Sequence, residues 1–212
     1  EGLRIPPVKL YSAGQQNQVI WDLLRANVRL PVQLLGDLRA QLAACRMANT
    51  KVVNLIRRYG TRSSAAYMRQ VTDYTERLAR AALAELPDGQ FSFEDWIDDD
   101  GVDIGKPIRL FVTVRKSGEQ IEFDWTGSAL QVKGAINCTL SVTEAASYTA
   151  LRSIIPSSIP NNDGIFRVLT TKAPKGTIAN LAMPAACAAR ALTGFRMLDC
   201  AFGALAMMVP DR

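Results

Sequence analysis

The hydrophobic periodicity of this chain changes near residue 87, and that change constrains the fold more than any other sequence feature. Before it, apolar residues recur at helical spacing, as on one face of an α-helix. After it, apolar and polar residues alternate, as in a strand with one buried face. The sequence therefore predicts an α+β fold: a helical region over residues 1–86, then an α+β region over residues 87–212 with an antiparallel sheet and packed helices.

Three helices are predicted in the first region. The first spans residues 15–29, and the second begins with Pro31 in its first turn and ends at Gly60. Proline suits the first turn of a helix because its missing N–H has no partner there, and glycine suits the residue that follows a helix. The third helix has Ser63 or Ser64 as its N-cap, since a serine hydroxyl can accept a free backbone N–H.

Strands and two further helices are predicted in the second region. The turn at residues 116–118 joins two alternating segments into an antiparallel hairpin. The capping box at residues 141–144 begins a helix that Pro156 stops. The last helix is predicted over residues 185–208. Alternating polarity predicts strands over residues 90–95, 108–115, 121–125 and 166–171.

Charge and cysteine usage restrict the class of protein. The chain has 25 Lys and Arg against 20 Asp and Glu, and the basic residues are spread out, which argues against a nucleic-acid partner. The 4 cysteines form no Cys-x-x-Cys pair and lie among apolar or small residues, which favours buried free thiols in a cytoplasmic protein. The most apolar stretch, residues 185–209, contains Arg190, Arg196 and Asp199, and such charges argue against a membrane span.

Several common catalytic devices are absent from the sequence. The chain has 0 histidines, which removes the commonest general base and the commonest metal ligand. Residues 101–106 lack the spacing of a phosphate-binding loop, so ATP is not expected to bind by that route. The acidic run over residues 94–103 lacks the glutamate of a calcium-binding EF-hand, so we interpret it as a solvated connection between strands. No metal site is predicted within this chain.

Two polar clusters are the candidate substrate-binding sites. The first follows a predicted strand and comprises Asp124, Thr126 and Gly127. A carboxylate, a hydroxyl and a glycine permit close approach of a ligand, although an Asx or ST turn is the alternative. The second cluster comprises Asn137, Asn162, Asp163 and Arg167. Its arginine could clamp a carboxylate or phosphate, whereas its amides also suit turns, so these residues alone leave the function undetermined.

Six short motifs are spread over nearly the whole chain. They are Glu1–Leu10, Leu35–Gln41, Pro107–Arg109, Asp124–Ser128, Gly134–Asn137 and Asn161–Arg167. In order and spacing these motifs resemble the hydantoinase B / 5-oxoprolinase / acetone carboxylase α-subunit family. The alanine-rich stretch over residues 184–191 departs from the glycine-rich run usual in that family, which favours a structural helix there.

The resemblance implies the B-type subunit of an ATP-dependent cyclic amidohydrolase that opens hydantoin or 5-oxoproline. It implies ATP on an A-type partner subunit, a divalent metal on a part of the subunit upstream of Glu1, and an oligomeric assembly. In this interpretation the chain is an internal piece of a larger subunit and is inactive when isolated. Arg167 would position an anionic group of the substrate, and Asp124 would orient a donor. Two alternatives stay open: a subunit of a ketone carboxylase for acetone or acetophenone, and a structural or assembly module without catalytic residues.

Overall fold

A computed structural model describes residues 5–210 of the chain. The first four residues of the motif Glu1–Leu10 therefore lie outside the described residues. The chain forms two compact units, one up to residue 68 and the other from residue 69 onward.

The first unit contains a small hairpin and two complete helices. Trp21 is its central apolar residue, with 1% of its surface exposed. The ring of Tyr11 meets Trp21 edge-on at 6.4 Å, and the guanidinium of Arg39 lies 5.4 Å from the centre of the indole. The predicted helix over residues 15–29 begins later than expected because Gln15 and Gln16 pair in the hairpin. The elements are β1 (Tyr11–Ser12), β2 (Gln15–Gln16), α1 (Gln18–Asn27) and α2 (Pro31–Tyr59).

Helix α2 ends as the sequence predicts, and the next helix begins sooner than predicted. Gly60 follows α2 with a φ of +79°, which glycine adopts without steric cost. Helix α3 (Thr61–Ala84) then starts at once. The N–H of Ser64 donates to the carbonyl of Gly60 at 3.1 Å, so this serine lies inside the first turn. The prediction of Ser63 or Ser64 as the N-cap is therefore wrong.

A four-stranded sheet organises the second unit, and the α+β class is confirmed. Its strand order is β3-β4-β5-β6, and the first three strands are antiparallel. Strand β6 instead runs parallel to β5, so the sheet is mixed and not wholly antiparallel as predicted. A parallel neighbour requires a crossover, and helix α4 (Leu140–Ile154) lies in that connection. The strands are β3 (Gly89–Ile97), β4 (Ile108–Ser117), β5 (Gln120–Asp124) and β6 (Leu169–Lys172).

The core lies between one face of this sheet and the helices. Alternate residues of β4 point into it, and Leu110, Val112 and Val114 are fully buried. Helix α5 (Arg190–Met208) covers β3 and β4, and α4 packs beside α5. Among residues 5–210, α5 is the one helix long and apolar enough, with a mean hydropathy of 1.3, to span a membrane by length and composition alone. Seven of its residues are buried in the protein core.

Three element boundaries in the structure differ from the predicted ones, because backbone groups there form hydrogen bonds that the sequence pattern did not indicate. Helix α4 begins at Leu140 with Thr139 as N-cap, so the capping box at residues 141–144 is wrong. The N–H groups of Val142 and Thr143 donate to the carbonyl of Thr139. A 3-10 helix (Asp163–Val168) replaces the first half of the strand predicted over residues 166–171.

The last helix also begins later than predicted, at Arg190 and not at residue 185. The N–H of Ala189 donates to the carbonyl of Ala135 at 2.8 Å. The carbonyl of Ala186 accepts a hydrogen bond from the side-chain amide of Asn137 at 2.9 Å. These bonds hold the residues before α5 against another loop, outside the helical conformation.

Candidate functional site

An open cleft lies between the end of β3 and the first turns of α5. Its volume is about 420 Å³, which is within the range of small-molecule sites. One wall carries carboxylates of the connection after β3, and the other carries an arginine of α5. We call this the β3–α5 cleft, and its lining residues are Trp96, Ile97, Asp98, Asp99, Asp100, Gly101, Ile136, Leu192 and Arg196.

Asp100 anchors the connection that forms one wall of the cleft. One carboxylate oxygen accepts the N–H groups of Val102 at 2.9 Å and Asp103 at 2.6 Å. The other oxygen accepts the N–H of Gly134 at 2.8 Å. Hydrogen bonds from the backbone N–H groups of Asp103, Gly134 and Val102 lower the pKa of Asp100 to about 2. This carboxylate is therefore a structural anion that is not available as a base near neutral pH.

Gly134 permits this anchoring because it has no side chain. A Cβ atom on Gly134 would lie 1.9 Å from the carbonyl oxygen of Asp100, which is closer than any real contact. Only glycine therefore lets the loop before α4 approach the connection after β3. Asp100 also borders a second cleft, of about 280 Å³.

The two carboxylates that precede Asp100 differ in their surroundings. Asp99 accepts the N–H of Gly101 at 2.9 Å and that of Gly105 at 3.1 Å, so it too shapes the connection. Asp98 is exposed at the mouth of the cleft. Of the three, Asp98 is thus the carboxylate best placed to meet a ligand.

Arg196 supplies a cation on the opposite wall. Its guanidinium donates to Asp95 at 3.2 Å and lies 3.7 Å from Asp199, while its side chain stays 49% exposed. Trp96 and Leu192 add exposed apolar surface beside it. The cleft therefore combines one accessible carboxylate, one accessible cation and apolar walls, which suits a small polar molecule with an apolar part.

The cluster predicted at the end of β5 is held by contacts within the chain. Asp124 accepts the N–H of Thr126 at 3.0 Å, which is the Asx turn given as the alternative, and it accepts a bond from Arg115 at 2.8 Å. Burial alone would raise the pKa of Asp124, but hydrogen bonds from Thr126 and Arg115 hold it below its ordinary value. The carbonyl of Gly127 accepts a bond from Arg109 at 3.3 Å.

Asn137 is fully buried, and both polar atoms of its side chain are hydrogen-bonded. Its amide nitrogen lies within hydrogen-bond distance of the carbonyls of Val132, Gly134 and Ala186, so one of its two N–H groups is shared between two acceptors. Its oxygen accepts the N–H of Val132 at 2.8 Å. The side chain thereby joins the loop before α4 to the segment before α5, and it leaves no polar atom directed at a cleft.

The remaining predicted site residues connect the 3-10 helix to α3. Asn162 accepts the N–H of Gly164 at 2.9 Å and donates to Thr75 at 2.8 Å. Arg167 donates to Asp73 at 2.7 Å and to Glu76 at 3.0 Å, and these bonds raise its pKa. The exposed Asp163 lies 3.9 Å from Arg167.

The structure places the seven predicted site residues in three separate sets of contacts. None of the seven lines the β3–α5 cleft or the second cleft beside Asp100. Their roles in substrate binding stay predictions, since all the contacts described are within the chain.

The sequence did not indicate three residues that border the β3–α5 cleft, namely Asp98, Asp100 and Arg196. The acidic run over residues 94–103 was the available signal for the two aspartates. Its interpretation as a solvated connection does not hold for Asp100, because Asp100 is buried.

The described residues show no arrangement typical of a metal centre. Within residues 5–210, no group of three or more His, Cys, Asp or Glu side chains is placed to hold a metal ion.

Comparison with known sequences identifies relatives along the whole chain. The family model for hydantoinase B/oxoprolinase matches residues 1–212. A protein named as the B component of a D-/L-hydantoinase from Pseudomonas sp. (strain NS671) is 36% identical over 222 residues, which cover 100% of this chain and 38% of that protein. The beta subunit of the caprolactamase of Pseudomonas jessenii is 32% identical, over 87% of this chain and 32% of its own length.

Comparison with solved structures supports the same relationship. The ATP-dependent caprolactamase from Pseudomonas jessenii superposes with a TM-score of 0.89 at 30% identity, over 100% of this chain and 37% of that one. Nucleotide-free acetone carboxylase superposes with a TM-score of 0.77 at 16% identity, over 95% of this chain and 28% of that one, and shows the shared fold. This chain thus spans well under half the length of these relatives.

Proposed function

Because this chain belongs to the hydantoinase B/oxoprolinase family, we propose that it forms part of the B-type subunit of an ATP-dependent enzyme that hydrolyses small cyclic amides. The observation that carries the proposal is the superposition on the ATP-dependent caprolactamase over 100% of this chain, with a TM-score of 0.89 and 30% identity. The relatives are named for hydantoin, caprolactam and 5-oxoproline, all of which contain a ring amide. Ring-amide hydrolysis is therefore the reaction that they have in common.

The β3–α5 cleft supports this assignment by its chemistry. A cyclic amide presents an N–H donor, a carbonyl acceptor and a short hydrocarbon ring. Asp98 can accept from the ring N–H, and Arg196 can donate to the carbonyl oxygen or to a carboxylate on the ring. Trp96 and Leu192 can contact the hydrocarbon part. These residues would bind and orient the substrate, which lowers the entropic cost of reaction.

ATP and a divalent metal belong, in this proposal, to parts of the enzyme outside this chain. Two relatives are named as the B component and the beta component of their enzymes, which supports a companion subunit. We propose that the companion is an A-type subunit that binds ATP, and that the complex is a cytoplasmic oligomer. The wrong spacing of residues 101–106 for a phosphate-binding loop agrees with a nucleotide site elsewhere.

A structural role is the second candidate. The observation that favours it is the set of contacts made by Asp124, Asn137 and Arg167, each of which joins segments of the same chain. In that case the chain would hold the larger subunit together and would contribute no group to the reaction. The carboxylase alternative has weaker support, because the acetone carboxylase likeness at 16% identity concerns the fold alone.

Kinetics of the assembled enzyme test the proposal. The complex would be assayed for ATP-dependent loss of hydantoin, 5-oxoproline and caprolactam, and for carboxylation of acetone with bicarbonate. We expect ring opening, and we expect Asp98→Asn and Arg196→Gln to raise KM by about tenfold or more, since a hydrogen bond to a charged group contributes about 1.5–3 kcal/mol.

Matched surface variants are the controls. Glu144→Gln on the exposed face of α4 and Arg69→Gln on α3 make the same chemical changes away from the cleft, and both should retain the wild-type KM. Wild-type KM in both cleft variants, with normal assembly, would favour the structural role. Carboxylation without ring opening would contradict the proposed reaction.

A further inference from the structure

Arg196 in the β3–α5 cleft is already paired with two carboxylates. Its Nη1 atom donates to Asp95 at 3.2 Å and lies 3.7 Å from Asp199. Within residues 5–210, the polar contacts of this guanidinium all involve Nη1, so Nε and Nη2 still carry N–H groups that can donate to a ligand. The positive charge of Arg196 is therefore compensated, while part of its hydrogen-bonding capacity is unused.

The other charged groups of the cleft are acidic. Arg196 is the one basic side chain among the described residues that line it, and the opposite wall carries three aspartates. Backbone N–H groups bind two of these carboxylates, but such bonds do not cancel a charge. Together with the two carboxylates beside Arg196, the cleft has five acidic groups, which are Asp95, Asp98, Asp99, Asp100 and Asp199. Its net charge is therefore negative.

Charged groups near the cleft do not offset this excess. Glu94 and Arg109 pair at 2.7 Å between β3 and β4, so their charges cancel. Lys106 and Lys133 belong to the second cleft, where they lie 3.5 Å and 3.0 Å from Asp103.

The positive end of α5 does not supply a free anion site either. The N–H groups of Arg190 and Leu192, at the start of this helix, donate to the carbonyls of Cys187 and Ala189 at 3.3 Å and 3.0 Å. A helix N-terminus attracts anions through N–H groups that have no other acceptor. These two donors already have acceptors within the chain.

A neutral amide and a carboxylate would meet this arrangement differently. The carbonyl oxygen of a neutral ring can accept a hydrogen bond from Nε or Nη2 of Arg196 without charge repulsion. A carboxylate on the ring could accept the same bond, but it would lie among like charges, which is unfavourable. Of the two groups that Arg196 could bind, the arrangement favours the carbonyl.

We infer that the residues of this chain make the β3–α5 cleft selective for uncharged cyclic amides over cyclic amides that carry a carboxylate, and that Asp199 determines part of this selectivity through its charge. The inference rests on the proposed function, in that it takes this cleft as the substrate site. The side chain of Asp199 is 62% exposed and its partner is Arg196, so replacing it changes charge with little change in packing. The effect of such a replacement measures what this chain contributes, whatever charges other parts of the subunit add.

Kinetics with two matched substrates test the selectivity. 5-Oxoproline and 5-oxoprolinamide differ only in a carboxylate against a carboxamide. In the assembled enzyme at low salt we expect the KM for 5-oxoproline to be at least about tenfold higher, because like charges repel in a partly desolvated site. Asp199→Asn and then Asp199→Lys should lower that KM by about threefold at each step. The KM for 5-oxoprolinamide should not change.

Salt and a distant variant are the controls. At 1 M salt, where the Debye length is about 3 Å, the steps should shrink. Glu144→Gln removes a carboxylate from the exposed face of α4 and should leave both KM values at the wild-type level. A lower KM for 5-oxoproline than for 5-oxoprolinamide in the wild type would overturn the inference. Equal changes for both substrates in the Asp199 variants would do the same.

Quenching of tryptophan fluorescence tests the charge of the cleft without catalysis. Of the 3 tryptophans, Trp96 lines the cleft and is 47% exposed, whereas Trp21 and Trp125 are 1% and 0% exposed. In the 212-residue chain we expect iodide, relative to neutral acrylamide, to quench about threefold less efficiently than it quenches free N-acetyltryptophanamide. Asp199→Lys should raise the iodide value, and Trp96→Phe should remove the accessible component.

The two experiments separate this inference from the proposed function. Iodide quenching relative to acrylamide equal to that of the free fluorophore would overturn the inference. Opening of both rings with equal KM would also overturn it, while the proposed function would stand. Exclusion of iodide from Trp96, together with a complex that opens no cyclic amide, would contradict the proposed function and support the charge selectivity of the cleft.

Discussion

At the scale of the residue, the Asp100 carboxylate holds together two segments that are 34 positions apart in the chain. Its value to the fold depends on Gly134, because any side chain there would collide with the Asp100 carbonyl. Neither residue stands out in the sequence: Asp100 is one of several acids in a run, and Gly134 lies in a short loop. Their importance becomes visible once the two segments meet.

The depressed pKa of Asp100 predicts a specific acid sensitivity. The folded pKa of about 2 lies below the ordinary value of 3.8, so the ionised form stabilises the fold above pH 3.8, and this contribution is lost as pH falls toward about 2. We therefore expect the melting temperature of the wild-type chain to fall more steeply between pH 4 and pH 2 than that of Asp100→Asn.

Thermal unfolding followed by circular dichroism measures this difference. At pH 7 the Asp100→Asn chain should melt at a lower temperature than the wild type, because the amide accepts these N–H groups less strongly. Asp98→Asn, on the exposed neighbour, is the control and should melt like the wild type at pH 7. Parallel acid profiles for wild type and Asp100→Asn would contradict the role assigned to Asp100.

At the scale of the element, the junction of β5 and α4 depends on a buried polar pair. The indole N–H of Trp125 donates to the hydroxyl of Ser147 at 3.2 Å, and both residues are fully buried. Ser147 in turn donates to the carbonyl of Thr143 at 3.0 Å. The pair therefore connects the end of the central hairpin to the crossover helix.

Removal of the Ser147 hydroxyl should destabilise the chain by about 1–3 kcal/mol, since Ser147→Ala leaves a buried indole N–H without a partner. Urea unfolding followed by tryptophan fluorescence gives the change in the free energy of unfolding. Ser141→Ala on the same helix should cost less, because Ser141 is exposed and is not the N-cap. A larger loss for Ser141→Ala than for Ser147→Ala would restore the capping box that the structure excludes.

Boundaries of elements were harder to predict than the elements themselves. Periodicity located α2 and its end at Gly60, since both depend on local geometry. It failed at residues 185–189 and 166–168, where backbone groups bond to distant loops or form a 3-10 turn. Periodicity also could not predict the direction of β6, because the parallel pairing of β5 and β6 depends on the route of the crossover between them.

At the scale of the whole molecule, the four cysteines report on how the chain is packed. Cys138 and Cys200 are buried, and burial raises the pKa of each thiol to about 12. Cys45 is exposed, and Cys187 is partly exposed. The expectation of free thiols is consistent with this structure, whereas the expectation that all four are buried is wrong, because Cys45 lies on an exposed face of α2.

Thiol titration with a chromogenic disulfide should therefore proceed in stages. In the native chain we expect Cys45 to react fast, Cys187 more slowly, and Cys138 and Cys200 only when the chain unfolds, because thiolate at a buried site is disfavoured. Cys45→Ser should remove the fast phase. Fast reaction of all four thiols without denaturant would contradict the packing of the second unit.

The α+β class, the approximate places of the helices and strands, and the family could all be predicted from the sequence, because they follow from local periodicity and short motifs in order. Which polar groups are accessible could not be predicted in this way, because it depends on tertiary packing. Asn137 is hydrogen-bonded to a segment 49 positions away, Arg167 is paired with carboxylates of α3, and Asp98 and Arg196 both line the β3–α5 cleft. Burial and pairing of a side chain depend on whichever distant segment packs against it, and local patterns carry no record of that partner.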